Sequence, residues 1–327
     1  MGQTEQLKEN MVTTQRKKGN LVFLLLVRLI REKPLGTVGA LLVLVLFLAG
    51  IFSEFLAPYG MNEYHLIDRM KPPSDSYVLG TDHLGRDLLS RIIFGARVSM
   101  LVGLAASSIS AAISTLIGLA SGYLGGKFDL IVQRFVDAWI CFPAVVIYLT
   151  LMSIIGSGIL QIVILLGIGS GIEGSRLIRS ATLSLKSNVF VEAAHAIGSS
   201  TWRVLLRHLL PNIVPVIIIR MTLGMATVIL AEATLSFLGF GIPPPFPSWG
   251  QMLSGRSRMY MLDAPWMALW PGLALTLAVY GINMFGDALR DLLDPRLRGG
   301  VGGMGGYGIE QARKALRKKG GGTRESD

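Results

Sequence analysis

Residues 192–211 read EAAHAIGSSTWRVLLRHLLP, and this segment lies between two long apolar runs. Residues 138–172 before it carry no charged side chain, and residues 213–242 after it carry only two. The segment itself has charged or titratable side chains at Glu192, His195, Arg203, Arg207 and His208. A short charged segment between two apolar ones is typical of a loop that joins two membrane-spanning helices.

The composition of the whole chain favours a membrane protein. Of its 327 residues, 51% are hydrophobic and only 16% are charged, whereas soluble globular proteins have about 25% charged residues. A single cysteine, Cys141, excludes an internal disulfide framework and a multi-cysteine metal site. The net charge of +10 does not indicate nucleic-acid binding, because the Lys and Arg residues concentrate in the tails and alternate loops.

The apolar segments predict an all-α integral membrane protein with six transmembrane helices. A helix needs ~20 apolar residues to cross a bilayer. Residues 138–172 are too many for one crossing, and Gly156-Ser-Gly158 interrupts them, so we predict two helices joined by a tight turn. The apolar segments are residues 35–53, 98–126, 138–172, 213–242 and 267–284.

The distribution of basic residues predicts the orientation of the chain in the membrane. Seven Lys and Arg residues precede the first span and eight follow the last. Six crossings put both tails on one side, and basic residues concentrate on the cytoplasmic side. We therefore expect a multi-pass cell-membrane protein with both termini and residues 192–211 in the cytoplasm.

The chain divides into five predicted parts. A basic cytoplasmic tail, residues 1–34, precedes the first transmembrane helix, residues 35–57. An extracytoplasmic segment, residues 58–97, leads into a core of five helices, residues 98–290, which contains the charged loop at residues 186–212. A basic, glycine-rich cytoplasmic tail, residues 291–327, follows the core.

The segment 192–211 predicts two short helices joined by an elbow. Gly198 can adopt the positive φ that an elbow needs, Ser199 or Ser200 is placed to cap the second helix, and Pro211 is placed to end it. Glu192 and His195 face away from the first apolar stripe. The two apolar stripes with helical spacing are Phe190, Ala193, Ala194 and Ile197, then Trp202, Leu205, Leu206 and Leu209.

Two roles suit a bracket with one apolar and one charged side. It can rest on lipid headgroups as an amphipathic loop, or it can enter a groove on another protein. Ala193 and Ala194 form a weak lipid anchor but a good surface for close docking. The physical chemistry of the segment leaves both roles open.

A family resemblance favours docking. Glu192-Ala193-Ala194, with Gly198 and then Leu210-Pro211, resembles the EAA loop of ABC-importer membrane subunits. The resemblance implies that the loop forms the coupling helix seated in a cleft of an ATPase subunit. His208 is a mild departure, because the family usually has an apolar residue there.

Further segments resemble the dipeptide/oligopeptide/nickel permease subfamily, and within it the C-type membrane subunit. The resemblance runs from about residue 35 to residue 298. One departure is that residues 171–175 replace the aromatic residues that such proteins often place before Arg176. The segments that carry the resemblance are residues 79–91, 95–99, 235–239, 247–250 and 283–296.

The resemblance implies a type I (MetI-like) permease core and the membrane-spanning subunit of an ATP-driven ABC importer. The implied partners are a homologous second permease subunit, two cytoplasmic ATP-binding subunits, an extracytoplasmic substrate-binding protein and the lipid bilayer. No cofactor and no nucleic acid are implied. The implied cargo is a di- or oligopeptide or a related small solute such as a nickel chelate, and the sequence does not distinguish among these.

The sequence supports no catalytic site of its own. Nearly every candidate nucleophile lies in a predicted span, so we predict a transport subunit whose ATP is hydrolysed by its partners. Residues 169–174 match GxGxxG, but the dinucleotide fingerprint needs a preceding strand, and helix packing explains these glycines better. The alternative function is an ion-coupled secondary transporter without an ATPase. It would usually show inverted repeats, and this chain shows none.

Glu232 is the candidate residue of the translocation path, because a carboxylate at membrane depth is costly. Arg220 is the other charged residue of that span, but twelve residues place it ~18 Å away along a helix. We therefore expect Glu232 either to contact the cargo amino group or to brace the turn at residues 235–239.

Other charged groups have structural interpretations. His83, near Asp82, Arg86 and Asp87, is predicted to belong to an ion-pair network and not to a metal site. We expect Arg134 to pair with Asp137, three residues later. Arg176 and Arg179 are expected to extend toward lipid headgroups.

Overall fold

A computed structural model describes residues 21–293, and this part of the chain is almost entirely helical. The described residues form no β-strand, and their single isolated bridge joins Thr81 to Asp87. A short 3-10 turn lies at Leu66–Asp68. The α-helices are α1 (Leu21–Glu32), α2 (Pro34–Ile51), α3 (Ser53–Leu56), α4 (Leu88–Leu124), α5 (Gly126–Cys141), α6 (Ala144–Ile155), α7 (Ile159–Lys186), α8 (Val189–Ala196), α9 (Thr201–Arg203), α10 (Leu210–Phe237), α11 (Trp249–Leu253), α12 (Arg256–Met259) and α13 (Trp266–Leu293).

The all-α prediction is confirmed, and the predicted count of six spans is matched if a bent pair of helices counts as one span. Five helices in the described part of the chain are long and apolar enough to cross a membrane. On that count the sixth span is the pair α5 and α6, which meet at an angle of 88°. The predicted turn at Gly156-Ser-Gly158 is present between α6 and α7, but the first of the two helices predicted over residues 138–172 is broken near its start. Pro143 lacks a backbone N–H and follows an extended Phe142, so the helix breaks there.

Two predicted boundaries also differ from the structure. Helix α4 begins at Leu88, ten residues before the predicted span, because the carboxylate of Asp87 accepts a hydrogen bond from the Ser90 backbone N–H. Part of the predicted polar tail is helical, since α1 occupies residues 21–32 and buries Leu29 against Ala288 and Leu292. The remaining tail predictions, for residues 1–20 and 294–327, lie outside the described residues.

Helices α4 and α7 approach each other closely along their whole length because small residues face bulky ones. A Cβ added at Gly118 would lie 2.6 Å from the Cβ of Ile178, and one at Gly122 would lie 2.8 Å from the Cβ of Thr182. On α7, a Cβ at Gly171 would lie 2.8 Å from the Cβ of Ile113. Close backbone approach of this kind is the main source of helix association in a bilayer.

The other long helices surround this pair. Helix α10 packs against α4, where a Cβ at Gly103 would lie 2.7 Å from Ile229. Helix α2 packs against α13, where a Cβ at Gly39 would lie 2.6 Å from the carbonyl oxygen of Gly281. The bundle thus has two ends. The elbow end carries residues 189–209, and the loop end carries residues 57–87 and 239–265.

The close contact between α4 and α7 predicts that Gly118→Ala destabilises the protein. The added methyl group must push apart Ile178 and the Ser175 carbonyl, and such overpacking costs about 1–3 kcal/mol. The thermal unfolding midpoint of the purified permease complex in detergent measures the effect.

Gly272→Ala is the matched control. It also lies within a helix, but the nearest atom to its added Cβ is 4.0 Å away. We expect an unchanged or slightly higher midpoint for this variant. Equal midpoints for Gly118→Ala and the wild type would show that the contact does not limit stability.

Candidate functional site

The segment 192–211 forms the predicted elbow. Helix α8 ends at Ala196, and Gly198 has φ of +74°, which confirms the predicted positive φ at this position. A Cβ at Gly198 would meet nothing within 4 Å, so glycine is required by the backbone conformation and not by space. Ser200 occupies the cap position before α9, but its side chain donates and accepts no capping hydrogen bond. We use "the elbow" for residues 189–209.

The elbow is attached to the ends of α4 and α7 by an apolar cluster. Leu119 and Tyr123 of α4 and Ile178 of α7 form its base. Five elbow side chains are buried in this cluster, namely Val191, Ala194, Val204, Leu205 and Leu209.

The predicted apolar stripes are therefore only partly right. Ala194, Leu205 and Leu209 are buried as expected, but Ile197 is 81% exposed and Trp202 is 72% exposed. The elbow helices are short, and they direct Val191 and Val204 toward α4 and α7. The stripe residues that are not buried therefore lie on the side of the elbow that faces away from the bundle. The elbow consequently has an apolar face that nothing in the described part of the chain covers. This face consists of Val189, Phe190, Ala193, Ile197, Trp202 and Leu206.

Pro211 does not end the second helix, contrary to the prediction. Residues 204–209 form a π-helical turn, and the Leu210 N–H donates to the carbonyl oxygen of Leu205, five residues earlier. This wider turn is followed directly by α10, and Pro211 lies in the first turn of that helix. The elbow is thus continuous with α10.

His195 is exposed, but its ring also contacts the bundle at the end of α4. Its Nε2 lies 3.2 Å from the Tyr123 hydroxyl, and the two rings stack. The Lys186 ammonium donates to the Tyr123 carbonyl oxygen at 2.6 Å, where a cation suits the C-terminus of α4. The contact with His195 joins the elbow to α4, and the Lys186 hydrogen bond joins the end of α7 to the end of α4. Tyr123 was missed by sequence reasoning, because nothing local marks a tyrosine at the end of a span.

The remaining candidate coupling residues lie on the accessible side. Glu192 and Ala193 are exposed, as are Gly198 and Pro211, whereas Leu210 is half-buried. Glu192 forms no ion pair with any described residue. The elbow therefore exposes an apolar face together with the charged side chains of Glu192, Arg203 and Arg207.

Ion pairs tie α5 to α7 near the elbow. The Arg179 guanidinium binds Asp129 through two hydrogen bonds, Nε to Oδ1 at 2.6 Å and Nη2 to Oδ2 at 2.5 Å. Arg176 pairs with Asp137. The expectation that these arginines extend toward headgroups is therefore wrong, because α5 bends back and presents two carboxylates to them. The predicted pair Arg134–Asp137 is present at 3.6 Å.

Glu232 is buried at the loop end of α10, with 1% of its surface exposed. Its Oε1 accepts hydrogen bonds from the Ser236 hydroxyl at 2.7 Å and from the Ser248 hydroxyl at 2.8 Å. Ser248 caps α11 and precedes the fully buried Trp249. Glu232 thus joins α10 to the loop at residues 239–265. Sequence reasoning could not identify Ser248 as a partner, because sixteen residues and a proline-rich loop separate the two.

The segment before α4 is a folded unit with its own ion pairs. The Arg86 Nε donates to Asp82 at 2.7 Å, as the predicted network requires, and the described residues contain no group of three or more His, Cys, Asp or Glu placed to hold a metal. Tyr77 donates to Asp68 at 2.8 Å. Burial, together with this hydrogen bond, raises the pKa of Tyr77 to about 12, so the phenol keeps its proton at neutral pH. The Lys71 ammonium lowers the pKa of Asp68, which therefore stays ionised.

Comparison with known proteins identifies the family. The family model described as "Binding-protein-dependent transport system inner membrane component" matches residues 114–299. The "Glutathione transport system permease protein GsiD" of Escherichia coli O6:K15:H31 (strain 536 / UPEC) is 40% identical over 273 residues, which cover 83% of this chain and 90% of that protein. The protein of the same name from Shigella boydii serotype 4 (strain Sb227) has the same identity and coverage.

A solved structure supports the fold. The MetNI methionine ABC transporter in an inward-facing conformation matches with a TM-score of 0.53 and 16% identity, over 62% of this chain and 96% of the matched chain. At this identity the likeness concerns the fold alone. The chain is a multi-pass inner-membrane protein, and the alternative of an ion-coupled transporter is not favoured. It belongs to the family of binding-protein-dependent transport system inner membrane components and is a permease subunit of an ABC importer.

Proposed function

We propose that the chain is the membrane-spanning subunit of an importer for small peptides or peptide-like solutes. Support for the cargo class comes from the relatives, which are named glutathione transport system permease proteins. Dipeptides and longer peptides fit the resemblance equally well, whereas nothing beyond the resemblance favours nickel chelates. The chain carries no ATPase site in this proposal, and partner subunits hydrolyse the ATP.

The observation that carries the proposal is the two-sided elbow. One side is buried against the ends of α4 and α7, and the other exposes an apolar face that includes Trp202. Glu192, Arg203 and Arg207 add exposed charged side chains to the elbow. A helix pair with an exposed apolar face and charged side chains suits insertion into a groove on another protein. We propose that this groove belongs to an ATP-binding subunit.

The contact residues are proposed to be Glu192, Ala193, Ala194, Gly198, Leu210 and Pro211, but these have different tasks. Glu192 and Ala193 face the partner, whereas Ala194 is buried and anchors the elbow to the bundle by packing. Gly198 sets the bend through its positive φ. Leu210 and Pro211 join the elbow to α10, so movement of the elbow displaces that span directly.

We further propose the composition and orientation of the assembly. A homologous second permease completes the path, two ATP-binding subunits bind the two elbows, and a binding protein delivers cargo to the loop end. Both termini and the elbow lie in the cytoplasm, as the basic tails indicate. The segment 57–87 then faces outward.

Glu232 has two possible roles in the translocation path, direct contact with the cargo amino group or a brace for the loop that borders the path. Its burial and its two hydroxyl donors support the brace. In this role it fixes α11, and with it Trp249, against α10.

The docking role of the elbow predicts that exposed apolar residues are needed for assembly. The double change Trp202→Ser and Leu206→Ser should reduce co-purification of the ATP-binding subunits by about tenfold or more, because each buried apolar side chain contributes about 1.5–3 kcal/mol. Glu192→Lys should weaken it as well. The amount of permease in the membrane should not change, since these side chains are exposed in the isolated chain.

The matched control for the elbow is Ile67→Ser. Ile67 is 97% exposed but lies in the segment before α4, at the opposite end of the bundle. Co-purification should stay at the wild-type level. If the elbow variants also assemble normally, the elbow does not bind the ATP-binding subunits.

The proposed orientation predicts opposite labelling of two cysteine variants in spheroplasts, each made in a Cys141→Ser background. Ser74→Cys should react with an impermeant thiol reagent, because Ser74 is exposed in the outward segment. Gly303→Cys, in the C-terminal tail, should react only after the membrane is permeabilised. Labelling in the reverse pattern would overturn the orientation.

The brace role predicts that Glu232→Gln is tolerated and Glu232→Leu is not. Glutamine keeps an oxygen that accepts from Ser236 and Ser248, whereas leucine removes both hydrogen bonds at a cost of about 1–3 kcal/mol. ATP-driven uptake of free and N-acetylated peptides should therefore fall equally in Glu232→Leu and stay near wild type in Glu232→Gln. A selective loss of free peptide uptake in Glu232→Gln would instead indicate contact with the cargo.

A further inference from the structure

Two opposite charges lie at membrane depth outside the contacts described so far. Glu173 is fourteen residues after Ile159 in α7, or ~21 Å along a helix that is ~42 Å long. A hydrocarbon core of ~30 Å, placed anywhere along that helix, contains Glu173. Arg220 lies ~15 Å from Leu210 in a helix of the same length, so the same reasoning places it inside the core.

The structure holds the Arg220 guanidinium in a fixed position on the surface of α7. Its Nη2 donates to the Ser170 carbonyl oxygen at 3.1 Å. Two glycines make room for it, because a Cβ at Gly174 would lie 2.8 Å from Nε and a Cβ at Gly224 would lie 2.9 Å from Nη1. Arg220 is half-buried, so one edge of the guanidinium is held while part of the side chain stays accessible.

Glu173 lies in the stretch of α7 that Arg220 contacts, and it forms no ion pair with Arg220. It is adjacent in sequence to Gly174 and three residues after Ser170, so it occupies the same turn of α7 that Arg220 contacts. Its side chain is exposed, and it makes no ion pair within 4.0 Å with another described residue. The buried Tyr148 of α6 packs on Gly169 of α7, one turn before Glu173.

An exposed carboxylate at this depth cannot face lipid at an acceptable cost, so Glu173 must face water or a polar group. A carboxylate and a guanidinium at the same turn of α7 that form no ion pair with each other present two separate opposite charges. Such an arrangement complements a ligand that has both an ammonium group and a carboxylate group. Arginine is well suited to bind the ligand's carboxylate, because its planar guanidinium does so through two hydrogen bonds.

We propose that Glu173 and Arg220 form a subsite that binds zwitterionic cargo in the translocation path, with Glu173 receiving the ammonium and Arg220 the carboxylate. The proposal rests on the proposed function, because it needs cargo to pass along this face of α7 and α10. The new element is the assignment of two residues that select cargo by the charges at its two ends. The subsite does not include Glu232, whose buried Oε1 accepts hydrogen bonds from Ser236 and Ser248.

The test measures ATP-driven uptake into proteoliposomes that contain the complete transporter and its binding protein. Three probes are compared, alanyl-alanine, N-acetyl-alanyl-alanine and alanyl-alanine amide. The selectivity of the binding protein is the same throughout, so it cancels when a variant's uptake ratio is divided by the wild-type ratio. Glu173→Gln should lower the ratio of free to N-acetylated peptide about tenfold, and Arg220→Gln should lower the ratio of free peptide to amide by a similar factor.

Two further variants keep the test decisive. Arg220→Lys retains the positive charge, so it should keep most of the carboxylate preference even if Arg220→Gln assembles poorly. Glu54→Gln removes an exposed carboxylate at the loop end, where it pairs with Arg97, and should leave both ratios unchanged.

The outcomes separate the subsite from the proposed function. If the wild type takes up the free peptide while both ratios stay unchanged in Glu173→Gln and Arg220→Gln, the proposed subsite is wrong but the proposed importer function stands. Equal loss for all three probes also overturns the subsite, because it indicates a structural contact with the second permease. If the wild type takes up none of the probes, the proposed cargo class fails and the subsite falls with it.

Discussion

The close approach of α4 and α7 is the constraint on which the rest of the molecule depends. Gly118 and Gly122 on α4, and Gly171 on α7, let each backbone reach the other helix's side chains, and any larger residue would separate them. In a bilayer the lipid tails are as apolar as leucine, so two helices gain little from hydrophobic burial and associate through such packing. This contact brings Leu119, Tyr123 and Ile178 together at one end of the pair, and these side chains form the base on which the elbow rests.

The elbow is consequently a rigid extension of the bundle. Its attachment uses apolar burial and the contact between Tyr123 and His195, while the hydrogen bond from Lys186 of α7 to Tyr123 holds the ends of α4 and α7 together. The π-helical turn at residues 204–209 adds a covalent, continuous route into α10. A force applied to the exposed face of the elbow therefore reaches three spans together. Rigid-body displacement of packed elements of this kind is how small movements at one site become large movements at another.

The sequence predicted what depends on composition and local chemistry. The apolar segments gave the all-α class and the six crossings, the glycine at position 198 gave the elbow, and the family motif gave the permease core. It failed where a partner distant in the chain decides the outcome. Val191 is buried where the apolar stripe predicted Phe190, because contact with α4 and α7 decides which side of the short helix packs. The chain also bends at Pro143, between α5 and α6, where hydropathy alone indicated a continuous helix. Ser248 met Glu232 across a loop whose path no local pattern specifies. One signal was present but unused, since the charge-free run of residues 138–172 stops at Glu173.

A cross-link between the elbow and α4 tests most directly whether the elbow moves as one body with the spans. Tyr123→Cys and His195→Cys, combined in a Cys141→Ser background, replace two side chains that are in contact. A short, reducible bifunctional thiol reagent joins the two cysteines, and ATP-driven uptake is measured before cross-linking, after cross-linking and after reduction. Our account predicts that uptake is the same in all three states, because the two positions keep their separation throughout the transport cycle. Loss of uptake on cross-linking with recovery on reduction would contradict it, because the elbow would then have to swing relative to α4.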